Sequence, residues 1–290
     1  MEASHHHDAR SFLDDAHRLL VEDRARHNLI LGVVQTVLDQ PDVYESFEGW
    51  VVTDRGVPVA AATRTVPWRL VLADATSPRA LDALARSVVE TAPDLPGVLG
   101  NEPFLTEFVE IWERLTGAGA EEEVRHGVFK LDKVTLPPRP PGDARPANRD
   151  DADLLVRWWQ AFIDEADPGG TLDPERAGEL VDQRLDPRRP QSVWLWEDEE
   201  PVSMSGHSGP AFRGVRIGPV YTPPEHRGHG YATALVALQS RHLLENGHDF
   251  CYLYTDLANP TANAIYTSIG YEEVARSARV RFSGPSKKDS

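Results

Sequence analysis

Residues 220–233 read VYTPPEHRGHGYAT, and the local chemistry of this stretch organises everything around it. Pro223 and Pro224 remove backbone donors where a short apolar strand, residues 216–221 (RIGPVY), comes to its end. Gly228 and Gly230 then permit the backbone turns that aim successive N–H groups into one concavity. A helix over residues 228–244 follows, with Tyr231, Ala234, Leu235, Leu238 and His242 at the spacing of one helix face. Its unpaired first N–H groups, at the positive end of the helix dipole, face the same spot. Such a place suits a phosphate: Arg227 and a protonated His226 add charge, and Thr233 offers a hydroxyl one turn in. Residues 250–255 (FCYLYT) form a nearly continuous apolar strand, so the segment reads as a right-handed βαβ crossover with parallel strands.

Two common phosphate loops do not fit. A Walker A loop ends in GK[ST], which is absent. A dinucleotide fingerprint gains some support from Asp256, which ends the next strand where a ribose-binding acid would lie. However, GHGYAT has no glycine or alanine at its sixth position, and one βαβ unit does not make a dinucleotide fold.

Working outward, residues 151–166 (DADLLVRWWQAFIDEA) carry Leu154, Leu155, Trp158, Trp159 and Phe162 at helical spacing behind an acidic start. Residues 174–185 suggest a second helix, and residues 192–196 and 202–207 two strands joined by the turn EDEEP. Further upstream the same order recurs in abbreviated form. Residues 50–53, 58–65 and 69–72 read as strands, 78–90 as a helix, 97–99 as a strand, 103–115 as a helix and 128–131 as extended chain. An internal duplication explains this, although α/β order is common enough for coincidence to stand beside it. The helix EFVEIWERL places Phe108, Ile111, Trp112 and Leu115 on one face, for core packing or for an interface. Residues 136–146, LPPRPPGDARP, hold five prolines and read as a semi-rigid connector. The expected domains are therefore 1–135 and 147–282, with a fraying polar tail at 283–290. His5, His6 and His7 could form a metal cluster, but adjacent histidines at a terminus read as a tag remnant or as solvated side chains, and no metal is expected.

The 290 residues suffice for two domains, and 40% hydrophobic with 26% charged residues fits a packed α/β protein without membrane spans. Thirty Lys and Arg against 46 Asp and Glu give a net charge of −16, which argues against nucleic-acid binding. The acidic surface serves solubility, or the steering of a cationic partner. The first residues lack the basic flank and apolar core of a secretory signal, so a cytoplasmic location is expected. The single cysteine, Cys251, forms no internal disulfide; it alternates onto a sheet face and reads as core rather than nucleophile.

The segment Arg227-Gly228-His229-Gly230-Tyr231-Ala232 fits R-x-x-G-x-A, and so resembles the pyrophosphate loop of the Gcn5-related N-acetyltransferase (GNAT) superfamily. Residues 259–271, NPTANAIYTSIGY, resemble the motif that follows it there: an Asn closing the strand, a Tyr seven residues later and a Gly-aromatic pair. The resemblance covers about residues 148–282. The first domain resembles a degenerate copy, with ATSPRA at residues 75–80 in place of the glycine loop and Trp112 or Glu113 near the tyrosine position.

This resemblance implies a tandem GNAT fold, a mixed sheet in an α/β chain, and acetyl-CoA as acyl donor to an amine. It implies cofactor contacts from Val220, Tyr221, Arg227, Gly228, His229, Gly230, Tyr231, Ala232, Thr233, Asn259 and Asn263. Tyr266 would be the general acid, the backbone N–H near Val220 would polarise the acyl carbonyl, and His207 or Asp256 would serve as base. The elementary chemistry agrees: a helix N-terminus supplies about 2 kcal/mol and micromolar affinity needs about 8, so the pantetheine arm must also be held, for instance by exposed backbone at residues 217–221. A phenol near 10 protonating a thiolate near 8.5 is uphill by roughly 2 kcal/mol. Each side chain also has a plainer reading. Tyr266 reads equally as a buried aromatic, His207 as a packed strand histidine and Asp256 as a turn cap. The expected activity is N-acetyl transfer to a primary amine of a small molecule or peptide by a monomer or homodimer. The alternative is a non-catalytic acyl-CoA sensor or interaction protein on the same fold.

Overall fold

The computed structural model describes residues 1–166 and 172–284. By internal contacts the chain divides into two units, Met1–Val128 together with the chain from Glu273 onward, and Phe129–Glu272. The first series of elements is β1 (Glu2–His6), α1 (Ala9–Glu22), α2 (Asn28–Asp39), β2 (Ser46–Asp54), β3 (Val57–Val66), β4 (Leu70–Leu72), α3 (Pro78–Thr91), β5 (Gly97–Asn101), α4 (Phe104–Thr116) and β6 (Gly119–Leu131). The second is β7 (Asp143–Pro146), α5 (Ala152–Ala166), α6 (Pro174–Leu185), β8 (Ser192–Asp198), β9 (Glu200–His207), β10 (Gly214–Tyr221), α7 (Tyr231–Glu245), β11 (Phe250–Asp256), α8 (Pro260–Ile269) and β12 (Glu272–Ser283). The order matches element for element, which carries the duplication suggested by the sequence across both series.

In the first unit β1 to β4 pair antiparallel in sequence order, β4 pairs β5 parallel, and β5 pairs β12 antiparallel. In the second unit β7 to β10 pair antiparallel, β10 pairs β11 parallel, and the end of β6 lies beyond β11. Both are the mixed sheet expected of the fold class. Helices cover them because their apolar faces match: in α3, Leu81, Leu84 and Val88 are fully buried with Trp50, Trp112 and Val98. Phe108, Ile111 and Trp112 of α4 join that cluster, so its apolar face serves core packing rather than an interface.

Nearly all of β12, the last strand of the second series, belongs to the first unit, and the last three residues of β6 belong to the second. Beside β5, β12 pairs from Ser277↔Asn101 to Arg281↔Gly97, and Ala278 and Val280 are buried in the first unit's core. Conversely, Phe129 and Leu131 at the end of β6 are buried with Val215, Leu253 and Tyr271 in the second. This exchange moves the division expected at residues 136–146. It falls inside β6 and again just after β12 begins.

The proline-rich stretch is not a free connector. Trp196 Nε1 donates to Pro141 O at 2.7 Å, Asp143–Pro146 pairs with β8, and a side chain at Gly142 would collide with Glu197 O. Nor is the amino terminus loose: β1 pairs with β2 through His6, and α1, capped by Asp8 and burying Phe12, Ala16 and Leu20, precedes a second helix, α2. The sequence reading had assigned no element before residue 50. Ser283 closes β12, and residues 285–290 of the expected tail lie outside the described residues. No described helix is long and apolar enough to cross a membrane.

A chain ending at Glu272 should therefore lose the first unit's stability, since it forfeits a five-pair ladder and the burial of Val280, worth about 1.5–3 kcal/mol alone. Thermal unfolding followed by circular dichroism would show a transition lowered by many degrees. An unchanged midpoint would rule out a structural role for β12.

Candidate active site

The parallel ladder between β10 and β11 joins Gly214, Val215 and Arg216 to Phe250, Cys251 and Tyr252 and goes no further. Between Ile217 and Val220 the register of β10 against β9 shifts, and β10 continues to Tyr221 as the partner of β9. Ile217 to Tyr221 thus have no ladder partner on the β11 side, which leaves a backbone edge open there.

At the mouth of this wedge the chain turns into α7. Arg227 to Gly230 are exposed, Gly228 and Gly230 take φ of 83° and 81°, and a side chain on either would meet open space. These left-handed conformations favour glycine. Gly230 is the N-cap and supplies no side-chain bond, so Tyr231, Ala232 and Thr233 keep backbone N–H groups without an intrahelical acceptor. Other helices of this unit start differently. Asn148 caps the short turn into α5, Asp173 caps α6, and Asn259 caps α8 by accepting from Ala262 N. In the first unit, α3 begins behind Ser77, whose hydroxyl accepts from Ala80 N, with Pro78 next. The corresponding place there is filled by the chain's own cap.

The charged groups at the loop already have partners. Arg227 donates through Nε to Thr222 O at 2.9 Å and through Nη2 to both carboxylate oxygens of Glu165 at 2.8 Å, and its guanidinium lies 5.9 Å from the Tyr221 ring. About half of each charged side chain is exposed, so solvent weakens this pair. His229 donates Nδ1–H to His226 O and stacks on Tyr231, whose hydroxyl donates to Asp198 at 2.6 Å. Glu165, Thr222 and Asp198 are absent from the sequence reading. Glu165 and Arg227 lie 62 residues apart, and no local pattern announces the contact.

Tyr266 of α8 and Val220 of β10 both pack against the apolar cluster of the second unit. The Tyr266 ring lies edge-on to Tyr271, centroids 5.9 Å apart, and burial pushes its phenol up to about 12. Asn259 and Asn263 fasten the turn from β11 into α8: Asn263 donates to Asp256 O and Leu257 O and accepts from Thr255. Asp256 Oδ1 accepts from Ala258 N at 2.8 Å, the geometry of a turn cap.

His207 is a packed histidine. Pro190 O can only accept, so Nε2 carries the hydrogen and donates to it; Nδ1 therefore accepts from Gln239 Nε2 at 3.2 Å. Both ring nitrogens are committed, and no lone pair is left for a substrate proton. Burial, with smaller contributions from neighbouring His248, His242 and Arg184 against the opposing Pro190 bond, pushes the imidazole down to about 4. Cys251 is buried, its thiol pushed up to about 12, which fits the core reading. Two shallow pockets of about 180 Å³, one lined by Trp194 and His242 and the other by Trp196 and Ala234, contain none of these side chains. The candidate site is the open wedge.

Comparison with known proteins bears on the fold. The family model of FR47-like proteins matches residues 212–280, which span β10, α7, β11, α8 and most of β12. Among solved structures, a GCN5-related N-acetyltransferase from Sphaerobacter thermophilus superposes with a TM-score of 0.60 at 16% identity, covering 97% of this chain and 96% of that one. An acetyltransferase of the GNAT family from Colwellia psychrerythraea gives 0.58 at 10%, covering 98% and 100%. A tandem GNAT protein from the clavulanic acid biosynthesis pathway gives 0.57 at 13%, covering 99% and 100%. A search of curated protein sequences gives no match. The chain has the tandem GNAT fold, as the resemblance of its motifs implied.

The His207 environment makes a pH prediction. An unfolded chain protonates this residue near the ordinary 6.5, whereas the fold holds it near 4. Its contribution to stability is therefore full above about pH 6.5 and is lost as pH falls toward 4. Between about pH 7 and 4.5 the wild type should lose about 2–3 kcal/mol more unfolding free energy than His207→Gln, measured by urea titration. Equal losses would show that His207 is not buried neutral.

Proposed function

We propose that the second unit transfers an acyl group, acetyl being the expected one, from acyl-CoA to a primary amine of a small molecule or peptide by direct attack. The observation that carries this reading is the uncapped N-terminus of α7 behind Gly228 and Gly230, set at the mouth of the splayed β10 and β11. The residues fit the donor. The N–H groups of Tyr231 to Thr233 would receive the pyrophosphate, with Arg227 released from Glu165 to join them, and the free edge of Ile217 to Tyr221 would receive the amide-rich arm. A backbone N–H near Val220 would stabilise the oxyanion formed when the amine lone pair attacks the thioester carbonyl. The carbon–sulfur bond then breaks, and the departing thiolate takes a proton.

In this reading Tyr266 assists the departing thiolate, and the environment of its phenol limits how. With the phenol near 12 and a thiol near 8.5, complete transfer is uphill by about 5 kcal/mol. Burial keeps the hydroxyl fully protonated at neutral pH, so donation of a hydrogen bond to the developing thiolate is its main contribution, with the final proton coming from the ammonium nitrogen of the tetrahedral intermediate as it collapses to the amide. Of the two candidate bases, His207 has both ring nitrogens committed, and Asp256 caps its turn through Oδ1, which leaves Oδ2 as the oxygen that could accept a proton. An amine that enters already neutral needs neither. The same observation supports a second reading, acyl-CoA binding without turnover, in which the wedge serves as a sensor.

Thiol release from acetyl-CoA across a panel of amines decides between them. The enzyme reading expects turnover that rises with pH as the amine deprotonates, with no fall assignable to Tyr266 below about pH 11. Tyr266→Phe should lower kcat by about 10²–10³ with acetyl-CoA affinity nearly unchanged. Gly230→Asp, which sets an anion and a strained backbone in the cradle, should weaken CoA binding by more than a hundredfold. Binding intact in Gly230→Asp would remove the cradle; CoA binding without thiol release for any amine would favour the sensor.

A further inference from the structure

The three histidines at the amino terminus lie on two different faces. In the β1–β2 ladder His5 is opposite Trp50 and His6 opposite Gly49. Side chains alternate along a strand, so His5 and the following His7 share a face with Trp50 and Glu48, and His6 points the other way. His6 is satisfied there: its ring nitrogens meet Ser4 Oγ at 2.9 Å and Ser11 Oγ at 3.3 Å. His5 differs. Its ring is stacked on Trp50 at 4.8 Å between centroids and meets His7 edge-on at 4.4 Å. Its Nε2 is buried with no hydrogen-bond partner, and Glu48 Oε1 lies 3.6 Å away, beyond hydrogen-bonding range. Buried polar atoms are nearly always satisfied, so such an atom calls for a partner.

One ligand atom from each of His5, His7 and Glu48 lies within 4.8 Å of the other two. Tetrahedral zinc with bonds of about 2.0–2.1 Å to nitrogen and oxygen needs ligand atoms about 3.4 Å apart, so small side-chain rotations would close the set. The other oxygen of Glu48 lies 3.9 Å from Nη1 of Arg64, its partner across the β2–β3 ladder, and the Arg64 charge is in turn shared with Asp94 at 3.6 Å. Two imidazoles and one carboxylate suit a borderline transition ion and not magnesium or calcium, which prefer all-oxygen sites.

We propose that His5, His7 and Glu48 form a binding site for one divalent transition-metal ion of the zinc type, with water completing its shell. The ion fastens the edge strand β1 to β2 at the start of the first unit. Two of its ligands lie near the chain terminus and the third 41 residues on from His7, so binding ties the terminus to the sheet.

The test uses the full chain without any added affinity tag and Zn²⁺ as the probe in titration calorimetry. One ion per chain is expected, with no heat from Mg²⁺ at the same concentrations. His7→Ala, at an exposed position, and Glu48→Gln should each weaken Zn²⁺ binding at least tenfold, whereas His6→Ala should leave it unchanged. Zn²⁺ should raise the melting temperature of the wild type and His6→Ala but not of His7→Ala. Absence of binding, equal binding by His7→Ala and Glu48→Gln, or an equal loss in His6→Ala would each overturn the site.

Discussion

Three residue pairs join β10 to β11, and the candidate site depends on the ladder ending there. Had the pairing run on to Tyr221, the backbone groups of Ile217 to Tyr221 would be spent on β11 and no amide-rich chain could be held. The shift in register between Ile217 and Val220 keeps β10 with β9 and opens the other side. Because α7 follows directly, its positive end comes to the opening without further machinery. Tyr266, carried on α8, packs against the same core in which Ile269 and Tyr271 are buried.

The two units show how little separates a site from its absence. Both have a parallel pair followed by a helix over the sheet, yet α3 begins with Ser77 and Pro78 and α7 with Gly230 and Tyr231. A cap hydroxyl satisfies a helix N–H from within the chain; glycine leaves it to an external acceptor. The first unit keeps its core, built on Trp50 and Trp112, without an equivalent cradle. Each unit's core includes strand residues from the other series: Ala278 and Val280 of β12 in the first, Phe129 and Leu131 of β6 in the second.

Much of this was written in the sequence where the determinants are local. Proline, glycine and helix-face spacing over residues 220–244 are short-range, and β10, α7 and the glycine turn between them followed from them. The exchange of β12 was not legible, because alternation along a strand says which face is buried but not whose sheet it joins. The terminal histidines misled for a similar reason: only pairing with β2, some 45 residues away, gives them an address. The helices α1 and α2 carried usable signals, with Asp8 as cap and Phe12, Ala16 and Leu20 on one face, and went unassigned. The prolines of residues 136–146 suggested a connector but not its docking, which hangs on the Trp196 indole meeting Pro141. At the site, the roles of His207 and Arg227 depended on Gln239 and Glu165, partners that no spacing rule supplies.

The claim on which the rest turns is that α7 offers its unspent N–H groups, and the β10 edge its free backbone, to one ligand. Hydrogen–deuterium exchange of the full chain with and without CoA tests this at the atoms concerned. Slowed exchange is expected at residues 228–234 and 217–221, with residues 75–81 at the start of α3 unchanged. Protection absent from residues 228–234, or equally strong at the start of α3, would contradict it.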